Sequence, residues 1–300
     1  MPAASSDDRH TSPPLLLRRL GGELRRLREE VGLTTDQVAS GLYCSPSKIS
    51  RLETGRVRAS FRDVRDILDL YRVPEQQRAS LYQLADEARQ RDRWWHSRRD
   101  VPDVRTFMSF ERATNSIRIF ESLAIPGLLQ VEGYARLITR ALLPDLNDQE
   151  VTRHVELRME RQELLKRRDA PVLQVVLDEA TIQRLVGMPE VIDDQLARLR
   201  LAAQMSNITL QVLPFRAGTQ EGMSGSFMIL GFPHEADQDV IFVELPAGQL
   251  YLDDEDHLRR YTRVFERLQA GALSGEESTA FMAVFARARD LHDLEVPVDD

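Results

Sequence analysis

The feature that most constrains this chain is a pair of short helical signals, a few residues apart, each opened by its own cap. Leu33 precedes Thr34, and Thr34 with Gln37 makes a T-x-x-Q capping box, in which the threonine oxygen and the glutamine side chain cover free amides at a helix start. Ser45 and Pro46 restart a helix by similar logic: the serine accepts from first-turn amides, and the proline lacks an amide that would go unpaired there. Val38, Ala39 and Leu42 form the inner face of the first segment, and Ile49 and Leu52 that of the second. The flanking sequence completes a bundle. Ser12 and Pro13 predict a helix with Leu17, Leu20, Leu24, Leu27 and Val31 at helical spacing, stopped by Gly32. Gly55 ends the second short helix, Ser60 opens one with Val64, Ile67, Leu68 and Tyr71, and Pro74 opens a fifth with Leu81, Leu84 and Ala88. The expectation is an all-α five-helix domain over 15–90, after a lead-in at 1–14 that lacks periodicity and reads as disordered.

Two short helices held at a fixed crossing allow the first to brace on a phosphate backbone while the second lies in the major groove of a duplex. The apolar side of the second leaves Ser47, Lys48, Ser50 and Arg51 outward. Arg51 is the candidate for a bidentate contact with a guanine edge, worth about 1–3 kcal/mol of discrimination, and the serines can donate to bases or phosphates. Pro46 can only touch apolar atoms such as a thymine methyl. Lys48, Arg56 and Arg58 flank the helix where phosphates would run, and Thr35 with the amides beginning its helix is a further phosphate anchor. The net charge of −8 hides an asymmetry: residues 1–100 carry 19 basic against 15 acidic side chains, and 101–300 carry 21 against 33. A mildly basic head on an acidic body suits a chain that presents one face to phosphates.

These residues resemble a known family. Leu33-Thr34-Thr35-Asp36-Gln37-Val38-Ala39 and Cys44-Ser45-Pro46-Ser47-Lys48-Ile49-Ser50-Arg51-Leu52-Glu53-Thr54-Gly55 are similar to the phage-repressor-like, or XRE-type, helix-turn-helix regulators. Ile125-Pro126-Gly127-Leu128-Leu129-Gln130, Tyr134-Ala135-Arg136, Val176-Leu177-Asp178-Glu179, Gln211-Val212-Leu213-Pro214-Phe215 and Gly225-Ser226-Phe227 resemble the C-terminal domain of an actinobacterial branch described as antitoxin-like. The resemblance covers about 15–290. It implies transcriptional regulation, binding to double-stranded DNA, a homodimer, and control by a small protein encoded nearby; a small molecule acting on the C-terminal domain is the alternative. It also implies an ion pair between Arg28 and Glu53 that ties the first helix to the recognition helix. The sequence departs from the pattern at Tyr43, where the turn is usually glycine because the chain there is left-handed. Either the turn is altered or the ring gains packing that offsets roughly 1 kcal/mol of strain. Cys44, the single cysteine, reads as core rather than a redox switch.

Residues 91–106, dense in charge and carrying Trp94, Trp95 and Pro102, read as a linker. The remainder, 107–295, reads as a larger α+β domain with a mostly antiparallel sheet. Helical patterning falls at about 110–123, 127–142, 149–167, 180–187 and 189–205, with two closing helices. Strand-like runs are Val172–Leu177, Ile208–Leu213, Ser226–Phe232, Val240–Leu245 and Gln249–Leu252, the last two joined as a hairpin through Leu245-Pro246-Ala247-Gly248. Glu111, Arg112 and Arg118 read as a solvated helix face or the lining of an effector pocket. No catalytic group, metal site or cofactor is expected: the six histidines lack ligand spacing, Gly222-Met223-Ser224-Gly225-Ser226 misses the nucleophile elbow, and Asp253-Asp254-Glu255-Asp256 reads as a helix start. Without a signal-peptide pattern or an apolar run of membrane-spanning length, the expected compartment is the cytoplasm, away from membranes.

Overall fold

The computed structural model describes residues 13–95, 102–218, 220–234, 237–245 and 248–292. Residues 1–12, with most of the lead-in and Ser12, lie outside the described residues, and 13–14, read as the end of the lead-in, open the first helix. Two compact units emerge: the chain through Thr114 together with 232–238, and Asn115–Gly231 together with the chain from Asp239 onward.

The first unit is helical: α1 Pro13–Glu30, α2 Thr35–Gly41, α3 Pro46–Glu53, α4 Phe61–Leu70, α5 Glu75–Trp95 and α6 Pro102–Ala113. Leu20, Leu24 and Leu27 meet Val38, Ala39, Ile49, Leu52, Val64, Ile67 and Leu68 in one core. Val31 is exposed, because α1 has ended at Glu30 and the stripe no longer applies to it. Leu15 and Leu16 are buried in its stead, and Leu17 is half-buried. The α1–α3 approach is close enough to require glycine at position 21, where a methyl would sit 2.5 Å from the Glu53 carbonyl oxygen and 2.6 Å from that of Leu52. The stretch read as a linker departs from expectation, since α5 continues to Trp95 and α6 begins at Pro102. Within α5 no glycine or proline interrupts a run rich in strong helix formers. The side chains of Trp94 and Trp95 lie outside the described residues. The loop at 232–238 belongs to this unit, where Asp237 is buried and accepts from Nε and Nη2 of Arg19.

The second unit is α+β around one six-stranded sheet in the order β3-β2-β1-β4-β5-β6. The strands are β1 Ser116–Glu121, β2 Val172–Asp178, β3 Ile208–Leu213, β4 Phe227–Gly231, β5 Val240–Leu245 and β6 Gly248–Leu252. The β1–β4, β4–β5 and β5–β6 pairs are antiparallel, whereas β1–β2 and β2–β3 are parallel, so the sheet is mixed. The central strand overturns the helical reading of 110–123: helix stops at Ala113, and Ser116 opens a strand in which Ile117 and Ile119 are buried. Arg118 consequently sits on a strand, 3.6 Å from Asp239, and Glu111 is buried on α6, which removes the solvated-face reading for both. The parallel pairs need helical crossovers. These contain α7 Glu132–Leu142 and α8 Asp148–Arg161 after β1, and α9 Glu179–Gln183 and α10 Ile192–Ala202 after β2. The chain closes with α11 Glu255–Gly271 and α12 Gly275–His292. Phe265 and Leu268 of α11 cover Phe120, Val176, Phe227 and Ile241. Asp254 caps α11 by accepting from the His257 amide, as the acidic run predicts. No helix among the described residues is long and apolar enough to cross a membrane.

Candidate nucleic-acid interface

Caps set the two short helices. Thr34 Oγ1 accepts from the Gln37 amide at 3.2 Å, and Gln37 Oε1 accepts from the Thr34 amide at 2.8 Å. At the far end of α2 the chain turns through Leu42, Tyr43 and Cys44, and the Cys44 amide donates to the Ala39 carbonyl at 2.9 Å. Ser45 Oγ then accepts from the Lys48 amide, with Pro46 as the first residue of α3. Ile49, Leu52 and Glu53 point inward, leaving Pro46, Ser47, Ser50 and Arg51 exposed along the other side. Arg51 Nε donates to the Ser47 carbonyl at 3.1 Å, which lays the guanidinium along the helix surface. Arg56 and Arg58 are exposed just beyond α3, and Thr35 is half-buried at the start of α2.

An ion pair fixes α3 from behind. Arg28 Nε and Nη2 donate to the two carboxylate oxygens of Glu53 at 2.7 and 3.0 Å, and its Nη1 donates to the Leu33 carbonyl at 2.8 Å. One guanidinium therefore joins the end of α1, the entry to α2 and the end of α3. Both partners are 9% exposed, so neither charge has water to fall back on. The hydrogen bond from Arg28 to Glu53 holds the guanidinium above its usual pKa despite burial. The phenol of Tyr71, beside this pair, is pushed up by burial and then by the Glu53 charge.

Residues 19–81 match a family described as a helix-turn-helix domain, and residues 104–283, more than half the chain, match a family described as a domain of unknown function, DUF5753. The chain belongs to the DUF5753 family. Comparison with curated proteins gives no match, and neither does comparison with solved structures. The helix-turn-helix supports a DNA-binding regulator as the role of this DUF5753 chain.

Two features of the DUF5753 chain lie beyond what its sequence conveys. The Lys48 ammonium pairs with Asp63 Oδ1 at 2.5 Å. Asp63 also completes the α4 cap by accepting from the Ser60 amide at 3.0 Å. Burial raises the Asp63 carboxyl, but hydrogen bonds from Lys48 and Ser60 outweigh it and hold the group below its ordinary value. Lys48 thus ties α3 to α4, and any phosphate must share it with that carboxylate. Tyr43 takes φ 52° and its side chain is 99% exposed. Neither reading of this turn holds: the backbone is left-handed as a glycine would be, so the turn is not altered, and the ring stands in solvent, so no packing offsets the strain. Cys44 is half-buried against the helical core.

Proposed function

We propose that this chain is a sequence-specific transcriptional regulator of the XRE type, reading duplex DNA as a homodimer through α3 and taking its signal through the DUF5753 region. The observation that carries the reading is the two-sided α3: Ile49, Leu52 and the paired Glu53 lock one side, and the other offers Ser47, Ser50 and Arg51. In this reading Arg51 reads a base edge, the serines and Pro46 contact bases or the backbone, and Thr35, Lys48, Arg56 and Arg58 meet phosphates. A single motif buries too little surface for tight specific binding, which supports pairing of two copies across half-sites one helical turn apart.

The experiment is a titration of labelled duplexes by fluorescence anisotropy. Arg51→Ala is expected to relax preference at one base position by about 1–3 kcal/mol; loss spread equally over all sequences counts against base reading. Lys48→Ala is expected to lower the salt slope by about one unit, and an unchanged slope reduces Lys48 to a brace between α3 and α4.

The resemblance to antitoxin-like regulators supports a small protein partner as the signal, testable by co-purification of the product of a neighbouring reading frame. A second reading, control by a small molecule, is favoured by a specific cluster of charged groups at one end of the sheet.

A further inference from the structure

The strands β1, β2, β3 and β5 run the same way and end together at Glu121, Asp178, Leu213 and Leu245, and β4 begins beside them at Phe227. At β1 the sheet changes character, with a parallel neighbour on one side and an antiparallel one on the other. In open sheets the carboxyl end of parallel strands is where diverging connections leave room for a ligand. The connections here carry large apolar side chains in solvent: Leu123, Val186, Phe215, Met223 and Leu245 are each about half exposed or more. Apolar side chains left in solvent on the connections at one end of a sheet are the material from which an apolar binding surface is built.

Within this rim lies a charged cluster. Glu121 ends β1 and hydrogen-bonds Ser226, whose Oγ also accepts from the Ser122 amide at 3.1 Å. On α8, Arg158 Nη1 donates to Gln130 Oε1 at 2.9 Å; Gln130 Nε2 donates to the Ile125 carbonyl at 2.6 Å, and the Ile125 amide donates to Tyr134 Oη at 3.1 Å. Glu244 acts electrostatically on both Glu121 and Arg158, as Glu121 and Arg158 both do on Tyr134, so the two groups have Glu244 and Tyr134 as common neighbours. Among the described residues, no carboxylate lies within ion-pair distance of Arg158. Its guanidinium is held below its usual pKa by burial and then by the like charge of Arg161. A half-buried cation whose hydrogen-bond partner is the neutral amide of Gln130 gains a counter-ion when an anion binds.

We propose that this end of the sheet binds a small organic acid, its carboxylate paired with Arg158 and its apolar body covered by the exposed rim. A lone guanidinium fork matches one planar carboxylate. Glu121, raised by burial to about 7, is available as a protonated donor to the ligand's second oxygen. Because only the protonated form donates, ligand binding takes up a proton, and affinity falls as pH rises through 7.

The proposal rests on the DUF5753 region as the receiver of the signal. It is tested on the full chain without DNA, so its failure leaves DNA binding to its own assay. Phenylacetate and octanoate are titrated calorimetrically, each beside its neutral amide. At least one acid is expected to bind, its amide about tenfold more weakly or worse, and Arg158→Gln is expected to lose about the same factor. Glu121→Gln is expected to bind with no pH dependence between 6 and 8. Arg158→Gln is expected to melt no lower than the wild type when ligand-free, since it removes a half-buried charge; should it fail to fold, the acid-against-amide comparison and the pH profile decide on wild-type protein alone. Binding of neither acid, equal affinity for acid and amide, or a folded Arg158→Gln that binds like the wild type overturns the proposal.

Discussion

Arg28 is the residue on which presentation of the recognition helix most depends. Truncating it leaves the Glu53 carboxylate buried without its counter-charge, so Arg28→Ala is expected to cost about 3–5 kcal/mol, read as a lower midpoint in urea. An unchanged midpoint contradicts the role given to the pair. Tyr43 works in the opposite direction. Its left-handed backbone is strained and its ring packs on nothing, so Tyr43→Gly is expected to raise stability by about 1 kcal/mol in the same titration. A loss of stability would mean the phenol makes a contact absent from this structure. Glu121 gives a pH signature: its folded pKa of about 7 lies above the ordinary carboxylate range, so its contribution to stability is complete below about pH 4 and is lost as pH rises through 7. Glu121→Gln is expected to remove that decline, worth roughly 2–3 kcal/mol, and an unaltered pH–stability profile would place the group in water.

Among the elements, the contact of α1 with α3 is a close backbone approach that a single methyl tests. Gly21→Ala pushes a methyl into the carbonyls of Leu52 and Glu53, and the expected cost is about 1–3 kcal/mol in thermal or urea unfolding. The capped helices of the head were legible because each boundary is written in local chemistry: Thr34 with Gln37, Ser45 with Pro46, and Ser60 at the start of α4. The strand β1 was not. Its Ser-Ile-Arg-Ile-Phe-Glu alternates with period two, but six residues following a helical run are too few for periodicity alone to separate strand from helix. With β1 went the parallel pairing, and with that the meeting of Glu121, Ser226 and Glu244 at one end. That meeting is a product of topology, and no local spacing in the chain announces it. The Lys48–Asp63 pair escaped for the same reason, its partners being 15 residues apart on different helices.

For the molecule as a whole, the division of charge along the chain has its counterpart in two units of different composition. The basic excess falls in the part containing the helix-turn-helix and the acidic excess in the part containing the sheet, so duplex DNA is favoured by one and repelled by the other. The claim on which the account rests is that α3 reads sequence, and the direct measurement is selection of bound duplexes from a random pool by the full chain, repeated with Arg51→Ala. The wild type is expected to enrich one motif, with paired half-sites about one helical turn apart, and Arg51→Ala to lose preference at one position of each half-site while keeping the rest. A wild-type chain that enriches nothing, or a variant that selects the unchanged motif, contradicts it.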